Sequence, residues 1–192
     1  MNFLFHMLLS GADEQVLVGN FMGDFVKGPL EERFPERVRL GVALHRRIDS
    51  HADTHPAFRR SRQLLAAEYG RYRGIMLDLF CDYFLANDWQ RWSPEPLPAY
   101  LARTRGIIDR HLYDLPPEMR RLVPTIFEEL LPSYGTIEGI GGALARMSAR
   151  LSRPNPLKGG ERELRRHHGA LHDEFSVLAA DLFAFAGDYL AE

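Results

Sequence analysis

The 192-residue chain has a single cysteine and two tryptophans, and it lacks any apolar run long enough to cross a bilayer. One cysteine allows no intrachain disulfide. Cys81 sits in the apolar run Leu79-Phe80-Cys81 without Cys or His neighbours, which excludes a zinc knuckle or a thiol–imidazole pair and reads as buried packing. Sustained apolar/polar alternation between hairpin turns is also missing, so strands are not expected. There is no internal repeat, no low-complexity linker, no Gly-x-Ser-x-Gly elbow and no Walker loop. The run Gly139-Ile140-Gly141-Gly142 has no strand before it, which argues against a dinucleotide fingerprint. The start, Met1 to Leu9, is apolar but short, has no preceding basic residues and is followed by Asp13 and Glu14. It reads as neither a signal peptide nor a membrane span, and the cytoplasm is the expected compartment.

Charge is nearly balanced, with 24 Lys and Arg against 26 Asp and Glu, so neither nucleic acid nor a membrane surface is an expected partner. Its distribution is uneven. Residues 27–73 hold eleven basic and six acidic side chains, a local balance of +5, which leaves −7 for the remainder. A basic section on an acidic protein suits an anionic substrate or an acidic partner; arginines scattered over a solvated surface are the plainer reading.

Helical periodicity recurs along the chain and predicts an all-α fold in one domain over 1–192. Helices are expected near 2–10, 13–23, 35–53, 56–68, 72–88, 97–112, 117–130, 134–150 and 160–190, separated by Gly and Pro breakers. In the last of these, Leu164, Leu171, Phe175, Leu178, Leu182, Phe185 and Tyr189 form one apolar stripe and read as core. His167, His168 and His172 near its start have a spacing that could bind a metal but read as surface residues.

Several polar residues do not fit a plain core. The segment Ile75–Ala86 is apolar almost all round, yet carries Asp78 and Asp82 four residues apart on one face. Two desolvated carboxylates on one apolar face need a cation, either an arginine or a metal ion. In the 35–53 helix, Val38, Val42, His45, Asp49 and Ala52 form a continuous row, so His45 and Asp49 stand where aliphatic residues belong. One turn apart, both can face one ion, and imidazole with carboxylate suits manganese, iron or zinc. His6 lies in an apolar helix, and Asp24 follows Gly23 in a stretch whose small residues allow close backbone approach. The set His6, Asp24, His45, Asp49, Asp78 and Asp82, without cysteine, looks like a hydrolytic metal site rather than a structural one. Arg46 and Arg47 adjoin His45, and a guanidinium fork matches phosphate oxygens. Metal, arginine and a carboxylate that positions water are the usual equipment of phosphoryl transfer.

Four ordered blocks carry a family resemblance. They are Met1-Asn2-Phe3-Leu4-Phe5-His6, then Gly19-Asn20 with Gly23 to Gly28, then Leu44 to Asp49 with Asp53-Thr54-His55-Pro56, then Leu77 to Ala86 ending at Trp89. This pattern resembles the bacterial acyl carrier protein phosphodiesterases, densely in the first half and more loosely to the C-terminal helix. The resemblance implies a helix bundle like that of the HD-type metal phosphohydrolases. It implies hydrolysis of the phosphodiester that joins 4′-phosphopantetheine to a serine of holo-acyl carrier protein, giving apo-carrier. The expected cofactor is a divalent ion, manganese first and magnesium or iron as alternatives. The expected partner is a small acidic protein that suits the basic 27–73 section.

In that reading His6, Asp24, His45, Asp49, Asp78 and Asp82 hold metal, and Asp24 also orients water. Arg46 and Arg47 grip the phosphodiester, with Lys27 adding positive charge. The chain departs from the family at Phe5, where a small Ala is common, and at Tyr83, where members often have a His. Two rivals remain at this level: hydrolysis of another phosphoester such as a nucleotide, and a non-catalytic helical protein that binds acidic carriers. Oligomeric state is left open.

Overall fold

A computed structural model describes residues 1–30 and 33–191. Glu31 and Glu32, two of the acids counted in the basic section, lie outside the described residues. Among the described residues there is no strand, in keeping with the all-α expectation. The helices are α1 (Phe3–Leu8), α2 (Glu14–Phe21), α3 (Glu36–Thr54), α4 (Pro56–Leu64), α5 (Arg73–Asn87), α6 (Trp89–Trp92), α7 (Leu97–Arg110), α8 (Pro117–Arg120), α9 (Val123–Thr125), α10 (Leu131–Ser133), α11 (Ile137–Arg150), α12 (Glu161–Arg166) and α13 (His168–Ala191). No helix among the described residues is long and apolar enough to cross a membrane.

Helix α2 starts at Asp13, whose Oδ1 accepts from the backbone N–H groups of Gln15 and Val16 at 2.9 and 3.0 Å. Its Oδ2 accepts from Arg37 Nε at 2.9 Å, so the same carboxylate ties α2 to the first turn of α3. Helices α2 and α3 then cross in backbone contact. A Cβ added at Gly19 would lie 2.1 Å from the carbonyl oxygen of Val38, and one added at Gly41 would lie 2.2 Å from that of Val16. Only glycine allows this approach. Helix α3 ends at His55, where Pro56 opens α4 at a position that needs no N–H. His55 Nδ1 accepts from the Ala57 N–H at 3.2 Å.

Helix α5 is buried on most sides, through Met76, Leu77, Leu79, Phe80, Cys81, Phe84 and Leu85. Burial lifts the Cys81 thiol far above its ordinary range, consistent with an inert packing role. Helix α13 lies over α3, α4 and α5 and buries Leu171, Phe175, Leu178 and Leu182. Each such side chain contributes about 1.5–3 kcal/mol through removal from water. Phe5 is fully buried against the rings of Phe175 and Phe183, 6.1 Å away in each case, which accounts for a large residue at that position.

Two expected helices are broken. The segment 117–130 divides into short turns, because Pro117 and Pro124 each begin a new one and a π-turn covers Ile126–Leu130. The 160–190 helix is interrupted at His167, so Leu164 is buried from α12 and Leu171, Phe175, Leu178 and Leu182 from α13, while Phe185 and Tyr189 at the end of the stripe are only half-buried.

Gly19→Ala is expected to lower stability by about 1–3 kcal/mol or more, since the new methyl meets backbone and not a flexible side chain. Urea unfolding measures it; a midpoint equal to that of the unmodified chain would mean that the crossing is looser than described.

Candidate metal centre

The site begins with the placement of α1. This helix has six residues, and its first N–H groups need acceptors from outside. Asp82 supplies them from α5: Oδ2 accepts from Leu4 N–H at 2.9 Å and Oδ1 from Phe5 N–H at 3.1 Å. Burial pushes the Asp82 carboxyl up to about 7, against the pull of these two donors. Both of its oxygens are thus committed to a helix terminus. Asp82 is not among the residues whose ligand atoms converge, and it anchors the start of α1 directly before His6.

Four of the other predicted residues surround one point. The rings of His6 and His45 stack with centroids 3.7 Å apart. Asp49 lies against both, with Oδ1 3.2 Å from His6 Nε2 and Oδ2 3.3 Å from His45 Nε2. Asp24 Oδ1 is 3.4 Å from His45 Nε2. Asp78 joins through the α-amino group of Met1, which donates to Asp49 Oδ1 at 2.7 Å and lies 3.2 Å from Asp78 Oδ1. The carboxylates of Asp49 and Asp78 therefore already gather around a positive charge, and with burial opposing them they raise that amine to about 12.

The imidazoles are held from behind by Asn20. Its side-chain Nδ2 donates to the His6 carbonyl oxygen and to Ser10 Oγ, which leaves Oδ1 to accept from His6 Nδ1 at 2.8 Å. Its backbone oxygen accepts from His45 Nδ1 at 2.8 Å. Both rings thus carry the proton on Nδ1 and direct Nε2 inward, the arrangement that outer hydrogen bonds impose on metal-binding histidines. Both Nε2 atoms are buried without an aligned hydrogen-bond partner, although carboxylate oxygens lie close by. A neutral Nε2 lone pair facing a carboxylate is repulsive, and either a proton or a cation resolves it. Ligand atoms of His6, His45 and Asp49 lie within 4.8 Å of one another, so the donor set fits a divalent ion.

Charge in the centre follows from this geometry. Burial and then the neighbouring His45 lower His6 to about 4. Burial opposes a proton on His45 as well, but Asp24 and Asp49 outweigh it and raise His45 to about 9. Although burial disfavours its charge, Asp49 is held far below the usual carboxylate range by the Met1 amine and both imidazoles. The imidazoles are buried while the Asp24 and Asp49 side chains are 58% and 37% exposed, so the centre is closed behind and open on its carboxylate side.

Two contributors stand in the blocks quoted from the sequence without a role in the site assigned to them. Asn20 has a legible signal, an amide among the apolar Val16, Leu17, Val18 and Phe21 of α2, and it is fully buried. Gly23 is required because a Cβ there would lie 2.1 Å from Cγ of His45. The arginines behave differently from one another. Arg46 Nη2 donates to the carbonyl oxygens of Val26 and Gly28 at 3.0 and 2.8 Å, which pins the loop after Asp24 instead of leaving the fork free for phosphate. Arg47 and Lys27 are exposed. Tyr83 is not at the centre: its hydroxyl lies 3.1 Å from His168 Nε2 on α13. His172 pairs with Asp88 at 2.7 Å.

The all-helical chain thus carries a cluster of His6, His45 and Asp49 that could hold a metal ion. The comparisons place it in a family. The profile of the acyl carrier protein phosphodiesterase family matches residues 1–182. A protein named acyl carrier protein phosphodiesterase from Photorhabdus laumondii is 34% identical over 170 residues, covering 88% of this chain and 86% of its own. One of the same name from Escherichia coli is 35% identical over 177 residues, covering 91% of this chain and 92% of its own. No solved structure matches. The chain belongs to the acyl carrier protein phosphodiesterase family, and it is a hydrolase of phosphodiester bonds.

Three outcomes follow from the geometry. Asp82→Ala is expected to lower stability by about 1–3 kcal/mol, because two donors lose their acceptor, while metal content stays as in the unmodified protein. Loss of metal without loss of stability would return Asp82 to the ligand set. Asn20→Ala is expected to weaken manganese binding by about 10–100-fold in calorimetry. Because His45 keeps its proton up to about pH 9 without metal, an incoming ion must displace it. Manganese affinity should therefore rise with pH toward 9 with proton release; a flat profile would remove His45 as a ligand.

Proposed function

We propose that this chain hydrolyses the phosphodiester linking 4′-phosphopantetheine to the serine of holo-acyl carrier protein, releasing the arm and apo-carrier, in the cytoplasm. The observation that carries the reading is the pair of buried, unpartnered Nε2 atoms of His6 and His45 that converge on Asp49. His6, His45 and Asp49 would hold a divalent cation, with Asp24 and Asp78 on the open side. Manganese is the first choice, with magnesium or iron as alternatives. When bound, such an ion supplies Lewis acidity that makes water a better nucleophile and offsets charge on the phosphoryl oxygens.

The chain's own residues do the rest. Asn20 keeps both imidazoles in one tautomer and one orientation. Burial works against ionisation of Asp24, but His45 holds its carboxyl below the usual value, so at neutral pH it is a carboxylate able to accept a proton from attacking water. Arg46 keeps the 26–28 loop, and with it Asp24, in place. Arg47, one residue beyond and exposed, is the guanidinium available to the non-bridging oxygens, with Lys27 adding charge. The serine oxygen of the carrier leaves and takes a proton from solvent.

The test is mass spectrometry of holo-acyl carrier protein incubated with the purified chain and manganese, beside a chelated control. Metal-dependent loss of the whole arm is expected, abolished in His45→Ala and slowed about 100-fold or more in Asp24→Ala. No loss from a folded, metal-loaded sample would overturn the substrate assignment, and full turnover by Asp24→Ala would remove Asp24 from its role.

A further inference from the structure

A second feature lies beside the centre and is not used by it. Arg71, Tyr72, Ile75, Leu151, Ser152 and Arg153 line an open groove of about 310 Å³ between the start of α5 and the segment after α11. Ile75 and Asp78 are three residues apart on α5, so their Cβ atoms are neighbours at about 5–6 Å. The floor of the groove therefore runs to within one helical turn of Asp78, which joins the centre through the Met1 amine.

Its chemistry is amphipathic and cationic. Leu151 is 41% exposed, one of the few large apolar side chains in that state among the described residues. Arg71 and Arg153 are exposed at the rim, and Arg150 at the end of α11 is exposed beside them. The Arg71 guanidinium stacks 5.1 Å from the Tyr72 ring centroid and donates to the Tyr72 hydroxyl at 3.1 Å, so an aromatic ring holds it in place and its charge is not cancelled. In the basic section Arg37, Arg60 and Arg62 meet carboxylates of this chain, those of Asp13, Glu174 and Asp53, and Arg33 and Arg46 donate to backbone carbonyl oxygens, whereas among the described residues Arg71 does neither. Arg71 and Arg153 thus give the groove a cationic rim over an apolar floor. Such a surface fits an acidic partner that places an apolar side chain in the groove while its carboxylates meet the rim.

Resting on the proposed function, we infer that this groove docks the acidic surface of the substrate carrier protein and so delivers its prosthetic arm to the centre next to it. The partner's charge chooses the groove, and the distance to Asp78 sets the approach.

The experiment compares the unmodified chain with R71E/R153E and with R71K/R153K. It measures anisotropy of labelled apo-carrier, kcat and KM on holo-carrier, and hydrolysis of bis(p-nitrophenyl) phosphate with manganese. In the reversal variant, carrier affinity should fall and KM rise by about tenfold or more, with kcat and hydrolysis of the small diester nearly unchanged. The lysine variant should bind close to normally. Carrier affinity unchanged by the reversal would overturn the proposal. So would an equal loss on the small diester, which would put the arginines at the centre. Equal binding of a single-stranded oligonucleotide, lost in the same variant, would assign the groove to nucleic acid instead. The two readings fail separately: reversal-sensitive binding of apo-carrier without cleavage of holo-carrier by the unmodified chain would sink the reaction and keep the docking.

Discussion

Two helices that touch backbone to backbone determine the rest of this molecule. At the α2–α3 crossing Gly19 and Gly41 face each other where any Cβ would collide with a carbonyl. This close approach brings the backbone oxygen of Asn20 within 2.8 Å of His45 Nδ1, and the amide of the same residue reaches His6 on α1. One buried asparagine beside one glycine therefore orients two histidines from two other helices. A wider crossing, as between helices with ordinary side chains at the contact, would leave Asn20 too far from α3 to do so.

The centre is electrostatically unsettled by construction. Stacked imidazoles and the carboxylates of Asp24 and Asp49 converge, and the buried Nε2 atoms of both rings lack an aligned hydrogen-bond partner. Without a cation the polypeptide resolves this through a proton on His45 and the amine of Met1 against Asp49 and Asp78. Groups perturbed and poorly paired in this way cluster at functional sites.

Much of the site was legible because a polar residue on an apolar helical face is a local anomaly. His45 and Asp49 interrupt a row of aliphatic residues, and Asp78 and Asp82 interrupt a helix apolar almost all round. Spacing placed each pair on one face but could not say what that face would meet. Asp82, with the same anomaly as Asp78, is consumed by the N-terminus of α1, a partner 77 and 78 residues away in the chain. Arg46 and Arg47 were equivalent in sequence, yet helical rotation gives Arg46 to the carbonyl oxygens of Val26 and Gly28. Tyr83 likewise looked like a gap in a ligand set until α13 placed His168 against it.

The sequence by itself determined the helical class, most helix boundaries and the membership of His6, Asp24, His45, Asp49 and Asp78 in the polar set, because periodicity, Pro and Gly breakers and misplaced charge act over a few residues. Tertiary structure alone decided which carboxylates gather around His6 and His45 and which serve as caps, and which arginines are spent within the chain. Those outcomes depend on the crossing of α2 and α3 and on the seating of α1 and α13 against α5, contacts between segments far apart in the chain whose geometry no local pattern encodes.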